Sequence, residues 1–122
     1  MAGVVHVQWY ATVLRQEAFA AEVVYVAPLA LRYGAMQYAV HRSRDDRYMI
    51  TQMAWFESHG DWYRYWEGPE MIEFRRRNTG RYQIPIAYVW YDELVVGALG
   101  PEVEAEAEPE PEPTAPAPSA VA

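Results

Sequence analysis

The hydrophobic pattern of residues 4–96 alternates between two periods, and the order of these periods limits the fold. Residues 4–13, VVHVQWYATV, alternate in a period of two, which is typical of a strand. Residues 16–33 carry apolar side chains three or four positions apart, which is typical of one helix face. Pro28 lies off this stripe and predicts a kink, and Gly34 predicts the end of the helix.

Two β-rich runs follow, at residues 35–42 and 48–57. The five residues between them, Ser43 to Arg47, include Ser and Asp, which favour turns because their side chains bond to nearby backbone groups. The pattern therefore predicts an antiparallel hairpin.

A second helix is expected to begin at Ser58 or Asp61, both of which are good N-cap residues. The Gly68-Pro69 pair predicts a break, with a second helical piece continuing to about Asn78. A last strand is expected at residues 82–96, and Pro85 indicates an edge position or a bulge there.

The order strand, helix, strand, strand, helix, strand predicts an α+β, ferredoxin-like βαββαβ domain with a four-stranded antiparallel sheet and both helices on one face. The last strand carries bulky side chains on both sides: Ile84, Ile86, Tyr88 and Trp90 against Ala87, Val89 and Tyr91. A strand that is apolar on both sides is usually covered on both sides. Since the helices cover one face only, we expect a second copy of the chain on the other, giving a homodimer or higher oligomer built as a dimeric α/β barrel.

The charge distribution separates a domain at residues 1–97 from a tail at residues 98–122. The formal net charge is −7, and six negative charges come from the glutamates between Glu102 and Glu112. The domain itself is near neutral, so we expect no nucleic-acid partner. The tail is rich in Pro, Glu and Ala and is predicted to be disordered.

The composition also excludes several kinds of chemistry. The chain has no cysteine and no lysine, which rules out disulfides, thiolate metal sites, cysteine nucleophiles and Schiff-base catalysis. No segment reaches the roughly 20 apolar residues of a membrane helix, and the first ten residues lack the pattern of a signal peptide. We therefore expect a cytoplasmic protein with no membrane partner.

The middle of the chain carries a series of short motifs. Gly34 precedes the second strand, Arg42-Ser43 ends it, Asp45-Asp46 forms the turn, and the third strand runs into Trp55-Phe56-Glu57-Ser58. In this order the motifs resemble the antibiotic biosynthesis monooxygenase family of the dimeric α/β-barrel superfamily, over about residues 4–94. The resemblance implies a cofactor-independent oxygenase of aromatic or quinol-like molecules, although the superfamily also includes haem-degrading enzymes.

Aromatic residues of the second helix are candidates for substrate binding. Trp62, Tyr65 and Trp66 share one helix face, and Trp9 or Trp55 could complete an aromatic pocket between helices and sheet. Such a pocket suits a flat aromatic ligand, because stacking provides affinity and Tyr or Trp polar atoms provide orientation. The alternative is that these residues only pack in the core, as aromatic stripes with helical spacing commonly do.

His59 is the candidate catalytic residue. Members of the resembled family often carry a His along the second helix, whereas residues 65–70 here contain none and His59 is the nearest. His6, His41 and His59 show no metal-ligand spacing, so no metal site is expected. We expect no cofactor, with haem bound through His41 or His59 as the alternative. The functional hypothesis is a cofactor-independent monooxygenase; the alternative is a non-catalytic dimeric barrel that binds a ligand or serves in assembly.

Overall fold

The computed structural model describes residues 2–99. In chain order the elements are β1 (Gly3–Tyr10), α1 (Gln16–Val26), a 3₁₀ segment (Ala27–Tyr33), β2 (Ala35–Arg42), β3 (Met49–Phe56), α2 (His59–Trp66), α3 (Pro69–Arg77) and β4 (Ala87–Asp92). The strands form one antiparallel sheet in the order β2-β3-β1-β4. The predicted fold class is therefore confirmed, with the second helix in two pieces. The predicted disorder of the acidic tail concerns residues that, from 100 onwards, lie outside the described range.

The helix boundaries follow the predicted signals. The first helix is α-helical to Val26 and continues as a 3₁₀ segment with Pro28 in its first turn, where the missing N–H is least costly. Gly34 ends it in the left-handed region, at φ 100°. Ser58 caps α2, because its hydroxyl oxygen accepts a hydrogen bond from the backbone N–H of Asp61 at 3.2 Å.

The predicted last strand was too long. Only Ala87–Asp92 forms β4, and Tyr82 contributes an isolated bridge to Ala11. Between them lies the Ile84–Pro85 peptide bond, which is cis. Proline has no N–H to donate to the ladder, so the strand begins only after it. Likewise β1 ends at Tyr10 instead of residue 13.

The core lies between the helices and one face of the sheet. Trp9 is at its centre, with ring centroids 5.2–5.9 Å from four other aromatic rings. These four rings belong to Phe19, Trp66, Phe74 and Tyr82. The strand residues on this face alternate with outward-facing ones, as the period of two predicts; they include Val5, Val7, Ile50, Gln52, Ala54 and Phe56.

The opposite face of the sheet, here called the open face, is covered by no element within residues 2–99. Its side chains come from all four strands and, apart from the buried Val4, are half-buried or exposed; they include His6, Gln8, Tyr10, His41, Met53, Trp55, Val89 and Tyr91. Val89 and Tyr91 expose 49% and 46% of their surface. This is the face for which a second copy was predicted, and the pairing itself stays a prediction.

Candidate functional site

Residues from α2, α3 and β4 form an aromatic group beside the edge strand β4. Helical spacing directs Trp62 and Trp66 toward the sheet, while the period of two directs Tyr88 and Trp90 of β4 toward the helices. Together with His59 at the start of α2 and Arg75 of α3, these residues are called the β4-side cluster below. The cluster therefore has contributions from three elements that meet at one edge of the sheet.

Ring contacts connect the members of the β4-side cluster. The Trp62 and Trp66 rings are stacked with centroids 5.0 Å apart. The Tyr88 ring contacts both indoles, at 5.7 and 5.4 Å. The guanidinium carbon of Arg75 lies 4.3 Å from the centroid of the Trp66 ring, which is a cation–π distance. At the other end, the His59 ring lies 4.8 Å from that of Trp90.

The β4-side cluster is buried beneath α2 and accessible from the β4 side. Trp62 and Trp66 expose only 1% and 5% of their surface, whereas Tyr88 exposes 39%. His59 is exposed and Trp90 is half-buried. The accessible part of the cluster therefore consists of Tyr88, Trp90 and His59, with the two indoles of α2 behind them.

Two N–H donors of this cluster are buried and find no acceptor among residues 2–99: Nε1 of Trp62 and Nη1 of Arg75. Two other indoles differ in this respect. Nε1 of Trp9 donates to Oε1 of Gln52 at 3.0 Å, and Nε1 of Trp55 donates to Oε1 of Glu93 at 2.8 Å. Leaving a buried donor unpaired costs about 1–3 kcal/mol. An oxygen atom supplied by a bound molecule would remove this cost.

Tyr65 is part of the core and not of the accessible cluster. Its hydroxyl donates to the carbonyl oxygen of Val26 at 2.9 Å and accepts from Nε2 of Gln52 at 3.1 Å. Burial raises the pKa of the Tyr65 hydroxyl far above its usual value, so the group stays protonated. The hydroxyl therefore fixes α2 against the first helix and the sheet.

The structure separates the other predicted site residues. Trp9 contacts the ring of Trp66 at 5.9 Å but lies in the centre of the core, where it is 1% exposed. Trp55 does not face the helices at all: it is paired with Val4 and lies on the open face, because Ala54 and Phe56 on either side of it are the core residues. The space predicted to form a pocket between helices and sheet is occupied by aromatic rings in mutual contact.

Sequence reasoning missed Arg75, Tyr88 and Trp90 as site residues. Residues 75–77 are three arginines in the last turn of α3, a position where cations are ordinarily solvated and favoured by the helix dipole. Arg75 follows the buried Met71 by four positions, and this spacing was the signal that its side chain lies on the inner side of α3.

A surface cavity of about 210 Å³ lies elsewhere, on the outer side of the helices. Its charged residues form ion pairs, including Arg32 with Glu70 at 3.7 Å and Arg77 with Glu73 at 3.8 Å. The hydroxyl of Tyr33 also donates to Glu70 and, as the main cause, lowers the pKa of that carboxyl. These charged groups already pair with one another. A ligand would therefore satisfy fewer unpaired polar groups in this cavity than in the β4-side cluster.

The three histidines do not come together. His6 and His41 lie on the open face, whereas His59 contacts Trp90 on the helix-facing side. Within the described part of the chain, no three His, Cys, Asp or Glu residues are arranged to hold a metal ion. No helix between residues 2 and 99 combines the length and the apolar character needed to cross a membrane.

Comparison with solved structures identifies the fold. A candidate antibiotic biosynthesis monooxygenase from Nitrosomonas europaea superposes with a TM-score of 0.70 at 19% identity, covering 76% of this chain and 90% of that one. A candidate monooxygenase of the same name from Deinococcus radiodurans gives 0.69 at 12% identity, covering 82% and 100%. SnoaB, a cofactor-independent oxygenase from Streptomyces nogalater, gives 0.66 at 11% identity, covering 78% and 95%.

The predicted likeness to antibiotic biosynthesis monooxygenases is thus confirmed at the level of the fold. No family model matches the sequence, and neither does any curated protein. Because fold alone does not determine activity, function has to be argued from the site.

Proposed function

We propose that this protein is a cofactor-independent monooxygenase that acts, as a homodimer, on an aromatic, quinol-like small molecule. The observation that carries the proposal is the β4-side cluster, an accessible aromatic surface that contains buried N–H donors without acceptors. The fold supports it, since one structure with this fold is a cofactor-independent oxygenase.

Substrate binding would use both the aromatic rings and the unpaired N–H donors of the cluster. The substrate ring stacks on Tyr88 and the adjacent edge of Trp66, because offset aromatic contacts are favourable beyond the area that they bury. A substrate oxygen accepts a hydrogen bond from one of the unpaired donors, Nε1 of Trp62 or Nη1 of Arg75. Donors fixed in a water-poor site stabilise that oxygen most strongly when it becomes negatively charged.

The reaction requires a base and molecular oxygen. His59 is the proposed base, because neutral imidazole readily takes a proton near neutral pH. Loss of an acidic proton, from the methylene carbon of an anthrone or from the hydroxyl of a quinol, leaves an anion whose charge is shared between the substrate oxygen and a ring carbon that still carries one hydrogen. The anion gives one electron to O₂, and the resulting radical and superoxide combine to form a hydroperoxide anion, which is then protonated. Loss of water from the hydroperoxide leaves a new C=O group, so one oxygen atom enters the product and the other leaves as water.

The homodimer is proposed from the open face. Its apolar and aromatic side chains are half-exposed in one protomer, and a second sheet packed against it would bury them. Stable interfaces bury about 1,200–2,000 Å² in total, which is within the reach of a four-stranded sheet face.

Oxygen consumption with a panel of quinols and anthrones tests the proposed activity. We expect protein-dependent uptake that falls by about a hundredfold or more in His59→Gln, since general base catalysis typically contributes at least this much. His41→Gln is the matched control, because His41 lies away from the cluster. Since His41 is on the open face, sedimentation checks that this variant keeps the oligomeric state of the wild type. Equal uptake with and without protein, or equal rates in the two variants, would contradict the proposal.

A non-catalytic, ligand-binding dimer is the second candidate. The observation in its favour is the mutual packing of Trp9, Trp62 and Trp66, which leaves the substrate only the outer side of the cluster. A water-exposed substrate would not protect a carbanion from protonation. Saturable binding of quinols without oxygen uptake would support this candidate over the enzyme.

A further inference from the structure

Arg75 differs from the two arginines that follow it on α3. Arg76 forms an ion pair with Glu73 at 2.7 Å, and Arg77 forms one with Glu22 at 2.8 Å. Arg75 has no carboxylate within 4.0 Å anywhere in residues 2–99, and its guanidinium lies over the indole of Trp66 instead. The site thus contains a positive charge without a negative counterpart.

The contact with Trp66 compensates this charge only in part. A cation above an indole ring is stabilised by the ring electrons. The guanidinium N–H groups, however, point outward in the plane of the guanidinium and still need acceptors there. Nη1 of Arg75 is buried and has none. Nε1 of Trp62, in the indole stacked on Trp66, is a second buried donor without an acceptor. Each of the two unpaired donors thus belongs to a side chain that contacts the Trp66 ring.

A carboxylate on a ligand would supply the negative charge and the hydrogen-bond acceptors that Arg75 lacks. Its two oxygens carry the opposite charge and can accept two parallel N–H bonds from one guanidinium, a geometry that lysine or a neutral amide cannot reproduce. We infer that the aromatic ligand of the β4-side cluster carries a carboxylate, and that Arg75 is the residue that selects it. This inference rests on the proposed ligand site but not on the proposed oxygenation.

Binding of two matched probes to the full-length protein tests the inference. 2-Naphthoate and 2-naphthamide share one ring system, and only the first has a carboxylate. Titration followed by the indole N–H signals in NMR gives both the affinity and the location. We expect naphthoate to bind about ten- to a hundredfold more tightly, the usual effect of a hydrogen bond to a charged group. The indole signals of Trp62 and Trp66 should shift most, and that of Trp55, on the opposite sheet face, should stay unchanged.

Variants of α3 assign the preference to one residue. Arg75→Gln should abolish the preference for naphthoate, whereas Arg76→Gln, which removes an exposed and already paired charge, should leave it intact. Arg75→Lys is the second variant, because it keeps the charge; it should retain only part of the preference. Circular dichroism checks that each variant is folded. Equal affinity for both probes in the wild type, or equal loss in the Arg75 and Arg76 variants, would overturn the inference.

The glutamates between Glu102 and Glu112 are a second source of carboxylates. A full-length variant with these six residues changed to Gln should bind naphthoate as the wild type does. Markedly tighter binding would mean that the tail competes for Arg75, and would overturn the assignment to a small molecule.

Oxygen uptake separates this inference from the proposed function. Arg75-dependent binding of naphthoate without uptake on any quinol would reject the monooxygenase and keep the carboxylate site. Uptake on quinols without any preference for naphthoate would do the reverse.

Discussion

Replacing Tyr65 by Phe removes one buried hydroxyl and should destabilise the domain strongly. The Tyr65 side chain is fully buried, and its hydroxyl joins Gln52 of β3 to the backbone of Val26 at the end of α1. Without it, one amide N–H and one carbonyl oxygen lose a partner in the core. At about 1–3 kcal/mol for each unpaired buried group, and allowing for the more apolar Phe ring, we expect a loss of about 2–4 kcal/mol. That is a large part of a typical unfolding free energy of about 5–15 kcal/mol.

Urea unfolding of Tyr65→Phe, followed by circular dichroism at one fixed protein concentration, measures this loss. Tyr63→Phe is the matched control: it lies on the same helix, exposes 44% of its surface, and donates no hydrogen bond in the described structure. The control should change stability by less than about 0.5 kcal/mol. If both variants lose the same amount, or if Tyr65→Phe is as stable as the wild type, then the hydroxyl does not hold the helices to the sheet and its assignment to the core is wrong.

Three further predictions test the open face, its histidine and a close approach of two strands. Val89→Asp should convert a dimer to a monomer in sedimentation experiments, whereas Val24→Asp on α1, at a residue that is also exposed, should not. A monomeric wild type would contradict the dimer. Burial lowers the pKa of His6, so the unfolded chain binds a proton there at a higher pH than the folded chain does. The free energy of unfolding should therefore fall below about pH 6.5. Urea titrations at two pH values should show a shallower fall for His6→Gln. Gly3→Ala should lower the melting temperature because the added methyl overlaps the indole of Trp90 in β4. Gly60→Ala should not, because its methyl meets only Oγ of Ser58, at an ordinary contact distance of 3.9 Å.

The fold could be predicted because local signals agree with one another. Gly34 supplies the left-handed residue that ends the first helix, and Ser58 supplies the cap that begins the second. The alternation of β1 and β3 also determines which residues face the helices. The start of β4 was predicted too early, because residues 82–86 are as apolar as the strand itself and Pro85 was interpreted as an edge position or a bulge inside the strand instead of its limit.

The site was predicted less well than the fold, for reasons of three-dimensional packing. Trp62 and Tyr65 lie on the same face of α2. Trp62 nevertheless contacts Tyr88 in the β4-side cluster, whereas the hydroxyl of Tyr65 forms its hydrogen bonds within the core. Trp55 was selected as a pocket residue because it is aromatic, but the alternation of β3 places it on the open face. Arg75 was grouped with its two neighbours, although only its position relative to Met71 distinguishes an inward from an outward cation.

Isotope labelling tests the monooxygenase proposal most directly. The protein is incubated with an anthrone or quinol that supports uptake, under ¹⁸O₂ in ordinary water, and the product is examined by mass spectrometry under conditions where carbonyl exchange with water is slow. The proposed reaction predicts one ¹⁸O atom in each product molecule, and loss of this label in His59→Gln. Product without ¹⁸O, or label that forms equally well without protein, would contradict the account.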